Sequence, residues 1–237
     1  MRVECASRTH VGLKRKINED SILADTARGL WAVADGMGGH EAGEVASAMV
    51  VDALSSLPPA DDIDDLAAQA VEALRRINRQ LIELARNEAG GRTIGTTVVG
   101  LILAGGYFRC FWAGDSRAYR LRDGMMARIS RDHSLVQQLV DSGMLAAEDA
   151  ERHENSNVVT RAVGVAAELD VDTVEGDAVA GDIFLLASDG LTRVMDDREI
   201  AAELERSAPE AAADTLLQAV LERGAPDNIS LIIVRLI

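Results

Sequence analysis

The stretch Arg28 to Gly39, RGLWAVADGMGG, changes character at one residue. Its apolar run, Leu30 to Ala34, reads as a short buried strand, and Asp35 closes that run ahead of the glycine-rich loop Gly36-Met37-Gly38-Gly39. A lone Asp-Gly at a strand end is ordinarily a turn, because Asp caps and Gly allows positive φ. Here the arrangement recurs. Asn18-Glu19-Asp20, Gly114-Asp115-Ser116, Ser188-Asp189-Gly190 and Asp227-Asn228 each lie beside another apolar, strand-like stretch. Five acidic signatures at strand ends point to carboxylates that converge in one cleft. Such carboxylates repel one another unless a hard cation neutralises them, so the chemistry implied is a Mg²⁺ or Mn²⁺ site and a metal-dependent hydrolase.

Outward from Asp35 the pattern turns helical. Val45, Ala46, Met49, Val50, Ala53, Leu54 and Leu57 form an apolar stripe ended by Pro58-Pro59. A second helix is expected from the acidic pair Asp61-Asp62, with Ile63, Leu66, Ala70, Leu74, Ile77 and Leu81 on one face and Gly90-Gly91 at its end. Short β-rich runs follow at Thr96 to Leu103, Tyr107 to Ala113, Arg117 to Arg122 and Met125 to Ile129, separated by turn residues. Ser134 to Val140 reads as a helix with Gly143 at C′, and Ala147 to Asn157 as a polar, mobile excursion over the surface. Ile183 to Ala187 is a further buried strand. Helices at Asp197 to Glu205 and Pro209 to Arg223 and a last strand at Ile229 to Leu236 complete the reading. This order of elements predicts an α+β layered sandwich in one domain spanning residues 1–237.

Composition narrows the partners. The 237 residues are 48% hydrophobic, enough for a large core, and carry 24 Lys+Arg against 39 Asp+Glu, a formal charge of -15. That charge argues against nucleic acid and anionic membrane as partners. The most membrane-like stretch, Val98 to Phe108, is too short to span and is interrupted by Gly100, Gly105 and Gly106. Met1 to Gly12 is polar rather than signal-like. Cys5 and Cys110 give neither a paired framework nor metal spacing, so reduced thiols in a cytoplasmic protein are expected. A monomer is expected as well.

Taken in order, Val11-Gly12-Leu13-Lys14-Arg15-Lys16-Ile17-Asn18-Glu19-Asp20, Asp35-Gly36-Met37-Gly38-Gly39-His40, Gly95-Thr96-Thr97, Gly114-Asp115-Ser116-Arg117-Ala118-Tyr119, Asp132-His133-Ser134, Ser188-Asp189-Gly190-Leu191 and Asp227-Asn228-Ile229-Ser230 resemble the motif set of the metal-dependent serine/threonine protein phosphatases of type 2C, in their bacterial stand-alone form. The resemblance runs from about Val11 to the C-terminus. It implies a four-layer α-β-β-α sandwich, two central antiparallel sheets flanked by helix pairs, with the metal cleft at one edge. It also implies hydrolysis of phosphoserine and phosphothreonine on phosphorylated protein substrates, opposing a partner Ser/Thr kinase. Relatives of this size also occur in the regulation of type VI secretion.

By the same resemblance, Asp35 bridges two Mn²⁺ or Mg²⁺ ions, the Gly36 carbonyl, Asp189 and Asp227 complete the inner shell, and Asp20, with Glu19, supports it. Two ions roughly 3.5–4 Å apart lower the pKa of a bound water and stabilise phosphoryl charge during in-line attack. Arg15 matches the phosphate-binding arginine, whose planar fork holds two oxygens. Asp115 matches a ligand for a third, weaker metal, with a flap around residues 141–157 beside it. His40 has two readings: an imidazole that protonates the leaving alkoxide, or a cap on the following helix. His133 reads as a structural polar contact and Cys110 as packing.

Other chemistries fit less well. A cysteine phosphatase needs Arg six positions after Cys, where Val11 and Ser116 stand instead. Asp170-Val171-Asp172-Thr173-Val174 matches the short pattern of haloacid-dehalogenase-type phosphatases, but too late in the chain for that fold. No Gly-x-x-x-x-Gly-Lys loop supports an NTPase. A scaffold that binds phosphopeptide or metal without turnover is the competing class, and it is disfavoured because every expected inner-shell carboxylate is present. Two departures from the common bacterial pattern, His153-Glu154 and Arg193, are expected to lie outside the metal shell and to bear on substrate range.

Overall fold

Along Leu30 to Ala34 every side chain is buried, and the alternation of the pleat sends them to two different cores. Trp31 and Val33 face a second sheet, whereas Leu30, Ala32 and Ala34 face helices. A strand covered on both faces needs no polar side, which is why it reads as a continuous apolar run. The computed structural model describes residues 2–38, 42–87 and 93–237.

In chain order these form β1 (Val3–His10), β2 (Asp20–Asp25), β3 (Leu30–Met37), α1 (Ala42–Ser55), α2 (Ile63–Asn87), β4 (Gly95–Thr96), β5 (Val98–Ala104), β6 (Tyr107–Ala113), β7 (Arg117–Arg122) and β8 (Met125–Arg128). Then come α3 (Leu135–Asp141), a 3₁₀ turn (Ala147–Arg152), β9 (Asp172–Asp177), β10 (Ile183–Ala187), α4 (Asp189–Thr192), α5 (Asp197–Arg206), α6 (Pro209–Glu222) and β11 (Ile229–Leu236). One sheet has the order β1-β11-β10-β7-β8; the other runs β2-β3-β5-β6-β9, with β4 paired to β3. The strand pairs are antiparallel.

Three apolar layers hold the sandwich. Between the sheets lie Trp31, Val99, Trp112, Phe184, Ile232 and their neighbours. Leu54, Leu74 and Leu81 of α1 and α2 pack on one outer face, and Ile200, Leu204, Leu216 and Val220 of α5 and α6 on the other. Burying each such side chain contributes roughly 1.5–3 kcal/mol. The α-β-β-α architecture expected from the motifs is the one observed.

Local signals set the starts of three helices. Asp196 caps α5 through a capping box with Glu199, Ser134 caps α3 by accepting from the Gln137 amide, and Pro209 opens α6. Some expectations need correction. The polar Met1 to Gly12 segment contains a full edge strand, β1, paired with β11 from Val3↔Leu236 to His10↔Ile229. The run expected from Thr96 to Leu103 breaks at Thr97 into β4 and β5. Gly90-Gly91, expected to end the second helix, lies outside the described residues. Among the described residues no helix is long and apolar enough to cross a membrane.

Candidate metal centre

Chain crossings gather the acidic signatures at one end of the sandwich. After His10 the chain leaves the first sheet and crosses through residues 11–19 into β2 of the second. After Ala113 it crosses back through Gly114-Asp115-Ser116 into β7. The turns after β10 and before β11 lie side by side because Ala187 pairs with Leu231, and Asp35 stands opposite Asp20 in the β2–β3 register. A cleft of about 420 Å³ results, lined by Arg15, Glu19, Asp35, Gly36, Asp115, Asp189, Arg193 and Asp227 among others.

Asp20 is buried, and its Oδ2 accepts from the Ser188 hydroxyl at 2.9 Å while its Oδ1 has no partner. Ser188 is itself fixed by β11, since its Oγ accepts from the Ser230 amide at 2.9 Å. Burial, reinforced by Asp189 and Asp227 and opposed by the Ser230 and Ser188 hydroxyls, pushes the Asp20 carboxyl up to about 7. Asp35 is held well above the carboxylate range, first by burial and then by the charges of Asp20, Asp189, Asp115 and Asp227. Asp189 is raised by burial, with Arg193 opposing. Burial also lifts Asp115 to about 7, with Asp189 adding to the shift and Arg193 opposing it.

Backbone contacts hold the acidic residues in place. The Gly36 amide donates to the Glu19 carbonyl at 3.0 Å, and a Cβ on Gly36 would stand 2.1 Å from the Gly43 carbonyl oxygen and 2.6 Å from that of Glu19. Only glycine lets the end of β3, the start of α1 and the Glu19 strand meet there. Asn228 knots the neighbouring loop: its Oδ1 accepts from the Glu19 amide at 2.9 Å, and its Nδ2 donates to the carbonyls of Val11 at 2.9 Å and Ile17 at 3.0 Å. That loop carries Arg15, one of whose Nη atoms donates to Asp227 Oδ2 at 2.7 Å.

The donor set suits a hard divalent cation. Asp20, Asp35, Asp189 and Asp227 supply oxygens, the Gly36 backbone lines the same cleft, and buried Glu19 Oε1 and Asp20 Oδ1 are unpartnered. Among the described residues, no three His, Cys, Asp or Glu side chains are drawn to the distances of a finished metal site. Arginines neutralise some of the carboxylates: Arg15 on Asp227, and Arg193 on Asp189 and Asp115.

The structure therefore brings together Arg15, Asp20, Asp35, Gly36, Asp115, Asp189 and Asp227, whereas His40 lies outside the described residues. Arg193, expected outside the shell, is instead ion-paired within it. One signal pointed to it: it follows Asp189 by four positions, so a helix starting at Asp189 stacks the two side chains. Asn228, Ser188 and Ser230 position the acidic residues through contacts that spacing alone does not reveal. His133 acts structurally, as expected. Its Nδ1 accepts from the Gly114 amide at 3.1 Å, its Nε2 meets Asp172 at 3.2 Å, and its ring stacks on Trp112 beneath the Asp115 turn. The covalent alternative is not supported, because Asp170 is exposed and Asp172, on edge strand β9, is spent on His133 and Arg161.

Comparison with known proteins gives one family. The family model described as "Protein phosphatase 2C" matches residues 9–225. The chain is 37% identical over 228 residues to the serine/threonine protein phosphatase PstP of Mycobacterium tuberculosis, covering 96% of this chain and 44% of that protein. It thus spans less than half the length of that curated relative. Among solved structures, PppA, a key regulatory component of the type VI secretion system in Pseudomonas aeruginosa, superposes with a TM-score of 0.91 at 42% identity, covering 99% of this chain and 98% of that one. The catalytic domain of PstP in complex with two manganese ions superposes with a TM-score of 0.87 at 35% identity, covering 98% and 97%.

Proposed function

The chain belongs to the protein phosphatase 2C family, and on that premise we propose that it is a metal-dependent phosphatase acting on phosphoserine and phosphothreonine in proteins. The observation that carries the reading is the gathering of Asp35, Asp115, Asp189 and Asp227 in one cleft at the end of the sheets, with Asp20 opposite Asp35 in the β2–β3 register. Two Mn²⁺ or Mg²⁺ ions held by Asp35, Asp189, Asp227 and the Gly36 carbonyl would supply an activated water and neutralise phosphoryl charge. Asp20, gripped by Ser188, sets the position of Asp35 across the strand pair. Glu19, tied to Asn228, keeps the Arg15 loop beside Asp227. Arg15, whose Nη lies 2.7 Å from Asp227 Oδ2, would pass from it to two oxygens of a phosphoryl group entering the cleft.

The substrates are phosphorylated proteins and the opposing enzyme is a Ser/Thr kinase, a reading supported by the names of the relatives. The likeness to PppA supports a role within a secretion-linked signalling circuit. Two unpaired cysteines support a cytoplasmic setting, and residues 1–237 act as one catalytic domain. The test is turnover of p-nitrophenyl phosphate and of phosphothreonine peptides with Mn²⁺ against EDTA-treated protein. Hydrolysis that needs Mn²⁺ is expected. Full activity in EDTA would overturn the mechanism, and metal binding without turnover on any phosphoester would favour a binding module.

A further inference from the structure

Arg193 and Asp115 are the charged residues lining the cleft to which the two-ion reading gives no task. Arg193 sits one helical turn after Asp189, and its guanidinium reaches three acceptors. Nε pairs with Asp189 Oδ2 at 3.0 Å, and one Nη reaches both Asp115 Oδ2 at 3.3 Å and the Ser156 carbonyl at 3.0 Å. Asp115, Asp189 and Arg193 form a wall shared by the cleft above and a neighbouring cavity of about 370 Å³ under residues 147–156. A second contact binds the same segment, because Glu151 meets Arg117 at 2.6 Å and Arg117 is in turn paired with Asp132.

We propose that Arg193 is a tethered cation that stands in for a third divalent ion between Asp115 and Asp189 while latching the 147–156 segment to the edge of the cleft. The inference rests on the two-ion reading of that cleft. A guanidinium keeps its charge at every working pH, and its planar fork suits two separate acceptors. Because it is covalently attached, it neutralises Asp115 whatever the metal concentration, whereas a free ion held by so few ligands would come and go. It also engages the Oδ2 atoms of Asp115 and Asp189 and repels a further cation. The Ser156 contact adds a mechanical link: whatever draws Arg193 away from the carboxylates also releases the segment. In this chain one side chain therefore neutralises charge and anchors the flap.

The test is calorimetric Mn²⁺ titration of the metal-free full chain, of Arg193→Ala and of Arg193→Ala with Asp115→Asn, together with amide exchange of peptides covering residues 147–156. The native chain should bind two ions and Arg193→Ala a third. The double variant should return to two. Exchange in the segment should rise by about tenfold in Arg193→Ala. A third ion in the native chain would overturn the proposal, as would a folded Arg193→Ala that still binds two. A native chain that binds no ion tightly would be a different failure, that of the two-ion reading itself. Should Arg193→Ala not fold, Arg193→Lys keeps the charge without the fork: two ions with a faster-exchanging segment are expected, and three ions or unchanged exchange would contradict the proposal.

Discussion

Arg15 serves a charged cleft from an exposed loop. Its hydrogen bond to Asp227 raises the guanidinium further while it rests there, and a guanidinium leaving that partner still reaches a phosphoryl group fully charged. Lysine would keep the charge and lose the two-pronged grip. Arg15→Lys should therefore raise KM for p-nitrophenyl phosphate about tenfold, the worth of roughly one charge-assisted hydrogen bond, with Mn²⁺ affinity nearly unchanged. Unaltered steady-state kinetics would make Arg15 a surface charge. The carboxylates around it were legible in the sequence because each lies at one end of an apolar, strand-like run. Arg193 stood out only as a departure from the common pattern, and its four-residue spacing from Asp189 became a contact only because the short helix α4 turns it back onto that carboxylate.

At the scale of elements, legibility followed burial. β3, β5, β10 and β11 lie inside the sandwich and are plain in the letters, as are the amphipathic α2 and α5 and the proline-opened α6. β1 and β9 were hidden because both are edge strands: Ala6 is the one fully buried residue of β1, and β9 reads DTVEGD with none. Charged edges discourage pairing with other chains and also erase the alternation that marks a strand. Where β3 meets α1, contact leaves no room for a methyl group. Gly36→Ala would place a Cβ 2.1 Å from the Gly43 carbonyl oxygen, against backbone that has no side-chain freedom to yield. Overpacking of this kind costs about 1–3 kcal/mol. A urea midpoint lowered accordingly, with weakened Mn²⁺ binding as Glu19 and Asp35 separate, is expected; an unchanged midpoint and affinity would show that the close approach is dispensable.

On the scale of the whole molecule, two antiparallel sheets converge their crossings at one end and collect there more negative charge than protein alone can stabilise. The net charge of -15 is thus partly concentrated where a cation is required. Asp20 and Asp115 are held up to about 7 against an ordinary value of 3.8, so the metal-free fold keeps protons that an unfolded chain would lose. Their contribution to stability is complete below 3.8 and is lost as the pH rises through about 7, while Mn²⁺ must displace those same protons. Mn²⁺ affinity should accordingly rise from about pH 6 to about pH 8 and then level off. The most direct measurement is calorimetric Mn²⁺ titration of the native chain and of Asp35→Asn across this pH range. Two tight ions in the native chain, strengthening with pH, and a loss of affinity of more than about 100-fold at both sites in Asp35→Asn are expected, since even outer-shell partners of a metal are worth roughly 10–100-fold. Native affinity retained in Asp35→Asn, or a native chain that binds no Mn²⁺, would contradict a metal centre built on Asp35.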